Sequence, residues 1–341
     1  MKYSRRNIRA EYIGAAIIVV LVAVFVFIKI DRHYLKLEQD KVPAQFWGVT
    51  YSKQYAQGLG LDWQAAYLAM LDELQVKKVR IPVYWDDVAP QVDQFSWGDY
   101  DWMLEEASKR DVKVILAVGG RLPRWPECHT PGWLQSQSAD QRQASELGYL
   151  RAAISHFQAA KNIVAWQIQN EYFVTWFGNC SAGDTKTLDQ QLSLVRSIDQ
   201  RPIVLTDSGE FSLWRNVSRR ADIVGTTMYR VAWNPYLHYT YAPWPAWMYR
   251  FKAAINGIAP SHMIVAELQA EPWPPGAKDI RDLNRQEIDS SFSLEQFATN
   301  AELARRTGFE SSYLWGVEWW YWRKLQGDNR YWTFAQTLFR P

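Results

Sequence analysis

Two stretches of the chain run apolar and then end in a glutamate. Ile163-Val164-Ala165-Trp166-Gln167-Ile168-Gln169-Asn170-Glu171 starts as a buried strand and turns polar at every second residue. Gln167, Gln169 and Glu171 therefore share one face, and Trp166 and Ile168 share the other. His262-Met263-Ile264-Val265-Ala266-Glu267 is a second apolar strand ending in a carboxyl group, with Glu271 four residues on as a rival for the same place. Two carboxyls in different environments divide a reaction between them. One delivers a proton to a leaving oxygen, and the other sets negative charge against a developing cation. Cleavage of an acetal needs that pair and no cofactor, and the separation of the carboxyls decides the stereochemistry: roughly 5–5.5 Å for retention, about 6.5–9.5 Å for inversion.

Other chemistries lack their signatures. The five His residues show no H-x-H or HExxH spacing, which argues against a metal site, and no G-x-S-x-G elbow supports a serine nucleophile. With 38 Lys+Arg against 36 Asp+Glu, the charge gives no reason to expect nucleic acid. The aromatic content points elsewhere, because 19 Trp in 341 residues is far above ordinary usage. Flat aromatic faces suit a sugar-binding cleft, since axial C–H groups of a pyranose pack on them, although filling the layer between strands and helices is the ordinary use of a Trp.

The two glutamates need elements that bring strand ends together. From Gln45 the chain repeats strand, loop, helix, and 341 residues accommodate one α/β barrel of about 250 residues with long loops and an N-terminal appendage. Strands are expected at 46–50, 78–82, 112–118, 163–171, 203–207, 222–229, 262–267 and 312–315, the last extended by Gly316–Trp322. Helices are expected at 63–74, from Ser96 as a capping residue, and at 141–158, 294–307 and 331–339. In the second strand Val79 and Ile81 face the helices, leaving Arg80 inside the barrel in need of a carboxylate, or else at the surface of a strand end. Long loops follow the third strand (Gly119 to Cys128) and the sixth (Val231 to Trp247, dense in Trp and Tyr), marking the active face; the second loop also suits an aromatic belt against a bilayer.

The Asn170-Glu171 pair at the end of the fourth strand, followed by Tyr172, resembles clan A glycoside hydrolases, (β/α)8 TIM barrels that retain configuration at a β-glycosidic bond. The resemblance implies Glu171 as acid/base, Glu267 at the end of strand seven as nucleophile, and substrate contacts from Arg80, Asn170, Tyr229 and Trp315. In the clan the Asn holds the sugar 2-hydroxyl, the Arg and Tyr flank the nucleophile and the Trp stacks on sugar. It also requires the fourth strand to end or bulge at Asn170, because strict alternation would point Asn170 and Glu171 to opposite faces. A chance Asn-Glu at a helix start is the plain alternative. The phrase from Gly119 to Pro126 resembles the β-galactosidase side of the clan, and the rest its cellulase-like members.

Residues 1–11 are basic and 12–30 are apolar enough, at about 28 Å as a helix, to cross a bilayer once. The run ends without small residues of the A-x-A type, so it reads as an uncleaved signal anchor, with 31–44 a stalk and 45–341 the catalytic domain outside the cytoplasm. Cys128 and Cys180 fall in loops of neighbouring strands, where a disulfide or two free thiols both fit. A non-catalytic barrel that binds glycan or scaffolds polysaccharide export is the competing function.

Overall fold

The computed structural model describes residues 45–340 except 93, 182 and 277, together with Tyr12, Ile18, Val19, Leu21, Val22, Phe25, Val26 and Lys29. The expected tail at 1–11 and stalk at 31–44 lie outside the described residues, as does most of the expected span at 12–30. Among the described residues no helix is long and apolar enough to cross a membrane.

Eight parallel strands close into a barrel: β1 (Trp47–Thr50), β2 (Lys78–Pro82), β3 (Lys113–Val118), β4 (Ile163–Ile168), β5 (Ile203–Asp207), β6 (Ile223–Met228), β9 (Met263–Gln269) and β10 (Ser311–Trp315). Between β6 and β9, the aromatic connection is an antiparallel hairpin of β7 (Val231–Asn234) and β8 (His238–Tyr241), not an irregular loop. β10 pairs with β1 from Trp47↔Ser312 to Thr50↔Trp315, which closes the ring. The strands are buried on both faces, as a parallel sheet covered by helices requires. Val79, Ile81, Val114, Leu116 and Trp166 pack outward against the helices. The alternate residues Ile115, Ala165, Val204, Ile264, Ala266 and Tyr313 fill the barrel interior. Gly48 makes room for this layer: an added Cβ would lie 2.8 Å from the Tyr313 ring and from Lys78 O.

Helices at Trp63–Asp72, Gly98–Ser108, Ala139–Phe157, Leu294–Arg306 and Arg330–Phe339 stand near their expected places. Ser96 does not cap the second of these, whose N-cap is Trp97 with no side-chain bond. The larger correction follows β10. Val317–Leu325 is a helix, not an extension of the strand. Gly316, at φ 139°, turns the chain sharply, and a side chain there would meet Ala270 O at 2.7 Å. The helix packs Trp319 against Phe292 and Tyr331, and Trp320 against Phe297, in the neighbouring helices.

Of the tryptophans, Trp85, Trp166, Trp214, Trp319 and Trp320 are fully buried. Trp125, Trp176, Trp233, Trp244, Trp273 and Trp315 instead line one cleft.

Candidate active site

That cleft, about 880 Å³, opens at the carboxyl ends of the strands and is lined by Glu171, Glu267, Tyr229 and Trp315 among others. Backbone irregularities place both acids. β4 ends at Ile168, and Gln169 (φ 60°) and Glu171 (φ 42°) both take left-handed conformations. This break in alternation lets Asn170 reach Arg80 while Glu171 reaches the cleft. It also corrects the expected facing of Gln169: its amide donates to Glu146 at 2.6 Å and Gln191 at 3.0 Å in the helix layer, away from Gln167. In β9 the register slips against both neighbours: Val265 faces Thr226 and Glu267 faces Thr227, while Ser312 and Leu314 of β10 face Val265 and Leu268. The extra residue is a β-bulge, and it turns Glu267 inward next to the inward-facing Ala266.

Arg80 is fully buried at the barrel mouth. It donates to Gln167 Oε1 (2.6 Å), Asn170 Oδ1 (2.7 Å) and Glu267 Oε1 (3.1 Å). Glu267 Oε2 accepts from Tyr229 OH at 3.0 Å. One carboxylate thus receives a guanidinium and a phenol, the pairing a buried anion requires. Asn170 lies beneath the cleft surface. Its oxygen also accepts from Thr206 (2.9 Å) and Gln167 (3.2 Å), and its amide donates to Glu127 Oε2 (3.1 Å).

Glu171 has a different setting. Its carboxyl accepts a long bond from Thr227 Oγ1 at 3.5 Å, and its backbone N–H donates to Thr206 Oγ1 at 2.9 Å. Burial first, then the negative fields of Glu267, Glu127 and Asp207, raise its pKa well above the usual carboxylate range, with Arg121 opposing. One acid therefore has a cation beside it, and the other is in a setting that disfavours its ionisation.

Glu271 belongs to a separate cluster at the cleft edge. Arg124 binds both Glu271 and Glu318, the latter at 3.0 Å, and its guanidinium lies between the rings of Tyr55 (3.6 Å) and Trp315 (4.1 Å). Burial pushes Glu271 up to about 7 against the pull of Arg124. Trp315 is thus held by a cation on one face. Sequence reasoning missed Arg124, Glu127, Glu318 and also Glu210, which lines the cleft and accepts from Tyr249 OH at 2.8 Å. The first two stand in the loop already marked as active-face, whereas Glu318 was hidden by the mistaken strand extension. Cys128 and Cys180 are joined, with Cα atoms 5.4 Å apart, and tie the loops after β3 and β4. Among the described residues no group of His, Cys, Asp and Glu is arranged to hold a metal ion.

An eight-stranded barrel with acids from its fourth and seventh strands on one cleft floor has the fold of the clan A glycoside hydrolases. The sequence pattern of the cellulase family (glycosyl hydrolase family 5) matches residues 38–222, and the chain belongs to that family. No curated protein matches the chain. Solved structures with the same fold include xylanase 10B from Thermotoga petrophila RKU-1 in complex with xylobiose, 11% identical, with a TM-score of 0.53 over 80% of this chain and 82% of that one. A family 10 glycoside hydrolase from Paenibacillus barcinonensis is 17% identical, with a TM-score of 0.54 over 80% and 83%. The exo-beta-1,4-mannosidase Op5Man5 from Opitutaceae bacterium strain TAV5 is 12% identical, with a TM-score of 0.54 over 79% of this chain and 51% of that one. At these identities the likeness concerns the fold.

Proposed function

We propose that the chain is a retaining β-glycosidase with Glu267 as nucleophile and Glu171 as acid/base, held to a membrane by residues 12–30 with the barrel outside the cytoplasm. The observation that carries this reading is the unequal setting of the two acids: Glu267 bonded by Arg80 and Tyr229, Glu171 buried among like charges. In the first step Glu267 attacks the anomeric carbon, the glycosidic C–O bond breaks, and the Glu171 proton passes to the leaving oxygen. In the second, Glu171 as carboxylate takes a proton from water, the water oxygen bonds to the anomeric carbon, and the ester to Glu267 breaks. Two inversions give net retention. Arg80 and Asn170 order the floor beneath the sugar, and Trp315 offers it a stacking face.

The xylanase and mannosidase among the structural neighbours make neutral β-1,4-linked glycans the first substrates to test. The full chain in detergent is incubated with β-1,4-oligosaccharides and aryl β-glycosides while NMR follows the first-formed anomer. Initial appearance of the β-anomer is expected; the α-anomer would mean inversion and a different role for Glu267. Binding of a glycan without turnover of any would favour the scaffold. For the anchor, the chain should stay with membranes through alkaline washing and be open to protease from outside, and release by the wash would remove it.

A further inference from the structure

Glu127 stands on the cleft floor with Glu171 and Glu267, and the two-step reaction gives it no task. It is only 3% exposed. Its backbone is fixed on every side: Glu127 N–H donates to Arg124 O, Glu127 O accepts from Leu122 N–H, and the next residue, Cys128, is tied to Cys180. Gly178 lies against it so closely that an added Cβ would sit 2.8 Å from the Glu127 Cβ. Its Oε2 accepts from Asn170, whose oxygen is bound by Arg80, the cation on Glu267. A rigid chain of contacts thus runs from Glu127 through Asn170 and Arg80 to Glu267.

We propose that Glu127 is a positioning residue of this site, a carboxyl that orients the Asn170 amide and whose negative charge, once formed, holds the proton on Glu171 until the leaving oxygen takes it. The inference rests on reading Glu171 as the proton donor. The charged groups around the two acids set the order of ionisation. Burial and Glu267 push Glu127 up to about 8, while the Asn170 hydrogen bond, Arg121 and Arg80 favour its anion. Glu171 faces Glu267, Glu127 and Asp207, with Arg121 opposing, and Thr227 Oγ1 lies 3.5 Å from both Glu171 and Glu210. The hydrogen bond from Asn170 belongs to Glu127 and not to Glu171, so the first charge falls on Glu127 and repels ionisation of its neighbour.

The test is the pH profile of kcat/KM on an unactivated β-linked oligosaccharide that the wild type cleaves, for Glu127→Gln and Glu127→Asp. Glu127→Gln keeps the shape and loses the charge, so the alkaline limb should fall by about one pH unit. Glu127→Asp keeps the charge but falls short of Asn170. Its limb should stay near wild type while kcat/KM drops about tenfold for the lost contact. A merely structural role would lower the rate and leave the Gln limb where it was, and that result overturns the proposal. Should Glu127→Gln fail to melt as a folded protein, Glu127→Ala with added formate takes its place: the limb should return towards wild type with formate, and an unmoved limb overturns the idea. Wild type without turnover on any glycan would remove the reading of Glu171 and this inference with it, whereas turnover with an unmoved limb removes this inference alone.

Discussion

Replacing Glu171 should change activity and stability in opposite directions. As proton donor, Glu171 is expected to supply about 10²–10⁴-fold on a substrate with a poor leaving group, so Glu171→Ala should lose that much on a natural oligosaccharide. A dinitrophenyl glycoside needs no proton to depart, so its glycosyl-enzyme should still form, and the later hydrolysis should slow for want of a base. Truncation to Ala vacates the space of a carboxyl group beside the bond being attacked, enough for azide. Added azide should therefore restore turnover and yield a β-glycosyl azide by double inversion. The stability effect follows from burial: the folded-state pKa of Glu171 lies above its unfolded value. Stability from the protonated acid is fully present below the unfolded pKa, about 4.3, and is lost as pH rises through the folded one. Glu171→Gln has no proton to lose, so it should match wild type in acid and become the more stable protein at alkaline pH, read by thermal melts across pH. Full activity of Glu171→Ala on natural glycan, or an azide-insensitive variant, would refute the assignment; a Gln variant less stable than wild type at high pH would refute the electrostatic reasoning.

Glu267→Ala should abolish turnover of every glycoside whatever the leaving group, and leave Arg80 buried without its carboxylate at a cost of roughly 3–5 kcal/mol, visible in denaturant titration. If Glu271→Ala is instead the inactive variant, Glu267 is misassigned. Replacing Cys128 and Cys180 by Ser opens a link across 52 residues, for which loop entropy suggests a loss of about 4 kcal/mol; the melting temperature of oxidised against reduced protein checks it, and no difference would mean that the hydrogen bonds of Arg121 to Val174 O (2.6 Å) and Phe177 O (2.9 Å), with the packing of Gly178 on Glu127, already hold the loops. Gly48→Ala places a methyl 2.8 Å from the Tyr313 ring inside the barrel and should cost about 1–3 kcal/mol by overpacking, measured by the same titration.

Hydrophobic period and order along the chain determined the barrel. Apolar runs of strand length, separated by helical spacing, leave a parallel sheet wrapped by helices as the way to bury both faces. The same alternation placed Arg80 inside, since Val79 and Ile81 claim the outer face, and a buried guanidinium then called for an acid. What the sequence did not determine lies where the backbone departs from its period. The left-handed residues Gln169 and Glu171, and the bulge that turns Glu267 inward, are conformations that no side-chain pattern announces. Gln169 was accordingly placed on the wrong face. Gly316–Trp322 carried an aromatic content suited to either strand or helix, and only packing of Trp319 and Trp320 against the helix layer decided it. Glu127 is distant in sequence from Glu171 and Glu267, and Arg124 from its partners Glu271 and Glu318. Only closure of the barrel and the Cys128–Cys180 link bring Glu127 and the two acids to one cleft, and burial there, not residue type, is what sets Glu171 apart from an ordinary carboxylate.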